Sequence, residues 1–325
     1  MIPKFIHGCI SPVFTAFDEE GRLDDAGQRS ILEYLYQTKS VTGYFVRSGM
    51  GQMFTFSYED ARHIAKTSCE CLKGRGAVLA GCSGIWDRNR DKRPDPEVFA
   101  TQAIELSKHA LGVGAAAVVH TIPEAILPHD GETPSDVVLR YFERLNKEVN
   151  GPIVIYQSPG TDERYLVNPD MAVKLAGMPN IVGMKASTAD AQYIFNITYA
   201  VRNKDFGYIV GHEAAFLAGL VTGAKAVIGQ GTTLNPEILK AVQDSYEAGD
   251  MERAIEAQHS TNLLLWPKIN STEFFKRWIS EKGFPVKPFA RGGDTSGYKV
   301  ITAQVTQDEY AGFKQIIEAE IAKFV

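Results

Sequence analysis

The stretch PIVIYQSPGTDERYLVNPDMAVKLAGMPNIVGMKAS, residues 152–187, decides the fold. It opens on an unbroken apolar run, passes through a polar turn and a segment introduced by Asn168-Pro169, and closes on a second apolar run. Continuous aliphatic and β-branched runs without polar alternation are what parallel strands covered on both faces require. The intervening segment is long enough to carry the helix that a parallel crossover needs. Working outward, the same period recurs. Candidate strands lie at 9–17, 42–47, 76–81, 115–121, 152–157, 181–186, 207–211 and 225–230. Helix starts fit between them: Asp24 and Asp25, Ser57, and Asn168-Pro169 supply capping side chains or a proline in the first turn. Eight such units predict an α/β fold, a closed (β/α)8 TIM barrel over residues 1–234. Residues 235–325 are predicted as a C-terminal helical region packed on the barrel, with helices near 236–249, 251–281 and 306–324 and no strand signal between them. The Gly- and Pro-rich stretch 282–297 reads as an ordered loop or linker. Residues 84–99, charged and carrying two prolines, read as a surface excursion after the third strand, of a length at which loops are often functional.

Composition narrows the function. Of 325 residues, 44% are hydrophobic and 22% charged, the balance of an ordinary globular protein. With 34 basic and 39 acidic residues the net charge is −5, so no global positive field draws nucleic acid or an anionic lipid surface. No apolar stretch reaches the ~20 residues that cross a bilayer, and the N-terminus lacks a signal-peptide run. A cytoplasmic location is expected. Cys9, Cys69, Cys71 and Cys82 have neither CxxC spacing nor scaffold density and read as free thiols.

In such a barrel the reactive groups cluster at the C-terminal ends of the strands. Four ends stand out: Arg47 to Gln52, Tyr156 to Gly160, Gly183 to Ser187, and Gly211-His212-Glu213. Lys185 closes a wholly apolar strand. A lysine there either reaches the rim or is desolvated in the barrel mouth, where burial disfavours the ammonium and leaves an amine able to attack a ketone. Tyr156, at the end of the preceding strand, supplies a phenol within reach for the proton transfers of imine chemistry. Packed structural roles are the ordinary alternative for each residue taken alone.

The motifs in order resemble the dihydrodipicolinate synthase and N-acetylneuraminate lyase superfamily of class I aldolases. SPVFTAFDEEGRLD (11–24) is similar to its opening, GYFVRSGMGQMFTFSYEDAR (43–62) to its G-x-x-G-E loop and following helix start, IVIYQSPG (153–160) to its Y-N-x-P motif, and NIVGMKAST (180–188) to its G-[IM]-K-x-[ST] motif. GHEAAFLAGLVTGAKAVIGQGTTLNPE (211–237) is similar to its closing segment. The resemblance implies a cofactor-free, Schiff-base-forming lyase acting on pyruvate or a related 2-keto acid, assembled as a homotetramer or dimer. It implies Lys185 as the nucleophile and Tyr156 as the proton shuttle. Substrate contacts then fall to Ser48, Gly49, Met50, Ser187, Gly211, Glu213 and Ile228. Carbon–carbon cleavage, condensation, and dehydration of a 2-keto-3-deoxy sugar acid all start from that imine.

Departures from the family pattern limit the reading. Two hydroxyl positions of the G-T-T-G-E loop are Gly49 and Met50 here, which removes links of the usual proton relay. The second tyrosine of the family's P-Y-Y segment is missing from His120-Thr121-Ile122-Pro123-Glu124. Thr161 stands where dihydrodipicolinate synthases place an arginine for a second carboxylate, with Arg164 three residues on, so lysine biosynthesis is not expected. The altered relay also admits a non-catalytic descendant that binds a keto acid as a sensor. Outside the imine class, His120, His212, Glu124 and Glu213 are the residues from which a class II metal site would be built, without HxH or HExxH spacing in support. Gly229-Gln230-Gly231 is where a barrel would hold phosphate, with no basic cluster beside it.

Overall fold

The computed structural model describes residues 1–265, 269–292, 299–301 and 305–325. Eight parallel strands close into a barrel in sequence order: β1 (Gly8–Ser11), β2 (Val41–Val46), β3 (Ala77–Gly81), β4 (Ala117–Thr121), β5 (Ile153–Gln157), β6 (Ile181–Ala186), β7 (Gly207–Val210) and β8 (Ala226–Val227). The first strand is shorter than its apolar run, because Pro12 has no N–H to donate to a ladder.

Helices α1 (Asp25–Gln37), α2 (Tyr58–Cys71), α3 (Pro96–Gly112), α4 (Pro134–Glu148), α5 (Pro169–Leu175), α6 (Ala191–Val201) and α7 (Phe216–Thr222) alternate with the strands. Their starts are set locally. Ser57 with Asp60 and Thr133 with Asp136 form reciprocal capping boxes, and the Asp24 and Asn168 side chains accept from the amides of Gly27 and Met171. Two apolar layers result. One fills the barrel, with Phe45, Leu79, Val119, Val154, Tyr156 and Ile209 pointing inward. The larger one lies between strands and helices.

Beyond β8 come a single turn, α8 (Gly231–Leu234), and α9 (Pro236–Glu247), α10 (Met251–Leu263), α11 (Ser271–Glu281) and α12 (Gln307–Ile321). The helix expected over 251–281 is therefore two helices. Asn270 caps the second by accepting from Glu273 N. The expected absence of strands is also corrected. An antiparallel ribbon pairs β9 (Ala290–Gly292) with β10 (Lys299–Ile301), and residues 293–297 of the predicted loop lie outside the described residues. Its brevity and its Gly- and Arg-rich sequence carry no strand period. Helix α11 packs on α1 through edge-on contacts of Tyr34 with Phe275 (5.7 Å) and Trp278 (6.0 Å). No helix of the described residues is long and apolar enough to cross a membrane.

Lys276 fastens this region to the barrel mouth. Its ammonium is fully enclosed and donates to the carbonyls of Thr15 (2.7 Å) and Phe289. Burial pushes its pKa down from 10.5 to about 7. The folded state thus binds this proton less well than the unfolded chain, so the stability is fully present above about pH 10.5 and is lost as pH falls toward about 7. Relative to Lys276→Met, the wild type should gain about 3–5 kcal/mol across that window in denaturant titrations. Parallel pH curves for the two proteins would contradict this.

Candidate active site

Strand register brings the two central side chains together. Tyr156 and Lys185 are direct partners across the β5–β6 pair, one residue from the C-terminal ends of their strands. Both point into the barrel mouth and both are buried, at 3% and 6% exposure. The Lys185 Nζ stands 4.0 Å from the centre of the Tyr156 ring, and the ring is braced edge-on by Phe45 at 5.7 Å. A cavity of about 350 Å³ opens over them, within the usual size of small-molecule sites. Gly49, Met50, Ser187, Gly211, Glu213 and Ile228 line it together with Lys185 and Tyr156.

The loop after β2 forms one wall. It is tied by Gly51 N donating to Ser48 Oγ (2.9 Å), Met53 N to Ser48 O (3.0 Å) and Thr15 Oγ1 to Gly51 O (2.8 Å). Ser48 is fully buried, its hydroxyl is used inside the loop, and it does not line the cavity. The Gly49 and Met50 amides make no hydrogen bond with described residues. Gly49 packs directly on the phenol, since a Cβ there would stand 2.7 Å from the Tyr156 Oη. The buried Ser187 Oγ also lacks a partner among the described residues.

The opposite wall carries an acid. Glu213 follows β7 and is 7% exposed. Its Oε1 accepts from Gly231 N at 2.8 Å, and a Cβ on Gly229 would fall 1.9 Å from its Oε2, so a larger residue there would have to displace the carboxylate. An anion of the protein thus takes the Gly231 amide that a phosphate would need.

The four residues weighed for a metal do not converge. Inside and outside alternate along a strand, so with Val119 facing the barrel interior His120 faces the helices. Its Nε2 is 2.9 Å from Ser107 Oγ and its Nδ1 3.3 Å from Tyr141 Oη. Burial first, and then the Arg47 charge, push it down to about 3, so the imidazole stays neutral. Glu124 is taken by Arg88 (2.7 Å) and Arg90 (3.1 Å). Glu213 and His212 do line the cavity. Among the described residues no group of three His, Cys, Asp or Glu side chains is placed to hold a metal ion.

The cavity also holds residues that reading the sequence did not single out, namely Phe54, Arg88 and Leu265. For Arg88 the available signal is the arginine density of the 84–99 segment. Arg164 is turned outward, 71% exposed and bound to Asp162 at 2.6 Å.

Comparison with known proteins agrees with this architecture. The chain is 28% identical over 249 residues to the 4-hydroxy-tetrahydrodipicolinate synthase of Methanoculleus marisnigri, covering 76% of this chain and 78% of that protein. It is 26% identical over 293 residues to an uncharacterized DapA-like lyase of Pyrococcus horikoshii, covering 88% and 93%. Among solved structures, a sialic acid aldolase from Ruminococcus gnavus superposes with a TM-score of 0.81 at 21% identity, covering 99% of this chain and 100% of the other. YagE from E. coli K12, solved in complex with pyruvate, gives 0.76 at 22% identity, covering 98% and 99%. These structural likenesses show the shared barrel. The family model described as the dihydrodipicolinate synthetase family matches residues 5–291, and the chain belongs to that family.

Proposed function

We propose that the protein is a class I lyase in which Lys185 forms an imine with pyruvate or a related 2-keto acid. Members of the family are lyases, and the solved relative YagE holds pyruvate. The observation that carries the reading is the placement of the Lys185 Nζ 4.0 Å over the Tyr156 ring at the floor of a closed-in cavity.

The chemistry follows from the groups present. The neutral amine adds to the keto carbon, and the carbinolamine loses water as the oxygen takes a proton and nitrogen keeps the carbon. The resulting iminium draws electrons, through a C2–C3 enamine, from the C3–C4 bond, the second bond out from the imine carbon. That bond breaks in cleavage, or forms from the enamine in condensation. Tyr156 Oη gives and takes the protons at these steps. The unpartnered Gly49 and Met50 amides suit the substrate carboxylate. Ser187 and Glu213 suit hydroxyl or carbonyl groups further along the chain. Gly211 and Ile228 shape the wall, and Ser48 acts by holding the loop. Loss of water from a deoxy-keto sugar acid is the neighbouring reaction that the same imine supports. Thr161 donates to Ser158 O, so it offers nothing to a second carboxylate on that side.

Incubation with pyruvate and borohydride should add one reduced pyruvyl group, mapped to Lys185, and chelators should leave turnover unchanged. Unmodified protein across a panel of 2-keto acids would sink the class I mechanism. A keto-acid sensor is the second reading, favoured by the relay positions Gly49 and Met50, which carry no hydroxyl. It predicts trapping without turnover. A cytoplasmic homotetramer or dimer belongs to the main reading. Phe195 and Tyr199, stacked at 6.0 Å and half exposed on α6, supply apolar surface for such contacts.

A further inference from the structure

The excursion between β3 and α3 is not merely solvated. Arg88 comes from it to the cavity that holds Lys185 and Tyr156. Its backbone is left-handed (φ 67°), a conformation that costs a residue with a side chain and that gathers at functional sites. The guanidinium lies over the Phe54 ring at 5.1 Å and donates to Pro159 O (2.7 Å) and Glu124 Oε1 (2.7 Å). Gly160, at φ 72°, makes the turn that presents this carbonyl.

Glu124 orients Arg88 without cancelling it. The carboxylate is 5% exposed and accepts from Arg88, from Arg90 and from the Asp162 amide (3.0 Å). One negative charge is shared between two guanidiniums. Two of the five N–H groups of Arg88 are committed by these bonds, the side chain is 23% exposed, and the residue lines the cavity that substrate must enter. The cavity it lines sets apolar Met50, Phe54, Ile228 and Leu265 beside polar Ser187, His212, Glu213 and Gln230. A guanidinium that lines this chamber offers charge-assisted donors to an anionic group carried further along the substrate chain.

We propose that Arg88 is a specificity residue that binds a second carboxylate of the substrate, so that the enzyme takes 2-keto acids whose chain ends in another carboxylate. This rests on the Lys185 reading for what happens at the keto carbon. A partly desolvated charge-assisted contact of this kind is worth about 10–100-fold in binding.

Matched probes test it: 2-oxoglutarate against 2-oxopentanoate, and 2-oxoadipate against 2-oxohexanoate, which differ in the terminal carboxylate. In borohydride trapping the wild type should half-saturate at about 10-fold or more lower concentration with one of the dicarboxylates than with its partner. Arg88→Met should erase that preference while leaving half-saturation by pyruvate within about twofold, and Arg88→Lys should restore part of it. The unchanged pyruvate value separates lost recognition from a collapsed loop. Absence of a preference in the wild type, or a preference that survives Arg88→Met, overturns the proposal. Should no keto acid be trapped, the Lys185 reading fails instead. Calorimetric titration of the same pairs into wild type and Arg88→Met then decides the role of Arg88 on its own.

Discussion

Lys185→Met is expected to abolish turnover, by about 10⁴-fold or more, while leaving the fold intact. The side chain is 6% exposed and has no ion pair or hydrogen bond within the described residues. Methionine matches its length and removes a polar group from an apolar strand, so the melting temperature should hold or rise. What is lost is the nucleophile, which no neighbour replaces. A second buried lysine sharpens the test, because Lys276 is hidden from solvent even more completely. It lies between the carbonyls of Thr15 and Phe289 and does not line the cavity. Trapping with a keto acid should therefore modify Lys185 and leave Lys276 untouched. Burial alone does not make a catalytic lysine, since the amine must also face space that a ketone can occupy. Turnover by Lys185→Met within about tenfold of wild type would place the chemistry elsewhere.

The barrel and its central pair were legible because both depend on short-range pattern. Apolar runs mark the strands, and Tyr156 and Lys185 sit at equivalent positions on consecutive strands, so register makes them neighbours. The face on which a residue lies is harder to read. A parallel strand apolar on both sides has no alternation to reveal its parity, and His120 reads as a mouth residue although it faces Ser107 and Tyr141 outside the barrel. Ser48 fails for a similar reason: its hydroxyl closes the loop it belongs to, a use that depends on the turn's backbone. For Arg88 the 84–99 segment was legible as a candidate but the side chain's place in the cavity was not. Its direction depends on Glu124, 36 residues away, and on Pro159, 71 residues away. The β9–β10 ribbon has three residues in each strand, too few for a period.

Tyr156→Phe is expected to lower turnover by about 10²–10⁴, the usual worth of one positioned acid–base group, while imine trapping persists. Its Oη makes no hydrogen bond within the described residues, so little stability should go with it. Gly49 supplies the control that distinguishes a working phenol from a structural one. A Cβ at position 49 meets the Oη at 2.7 Å, but the next nearest ring atom, Cζ, is 3.7 Å away, an ordinary contact. Gly49→Ala in the wild type must therefore push the hydroxyl aside, and turnover should fall by about 10-fold or more. In the Tyr156→Phe background the same methyl group finds room, because the atom it would strike has gone. The two losses should then fail to add, with the double variant about as active as Tyr156→Phe alone. If Gly49→Ala instead acts through the carboxylate-binding amides of its own loop, the losses will add, and the pyruvate concentration for half-saturated trapping will rise in both backgrounds. Non-additivity with unchanged pyruvate binding is the outcome that assigns the proton transfers to Tyr156 and explains why a glycine, not a residue with a hydroxyl, stands at position 49.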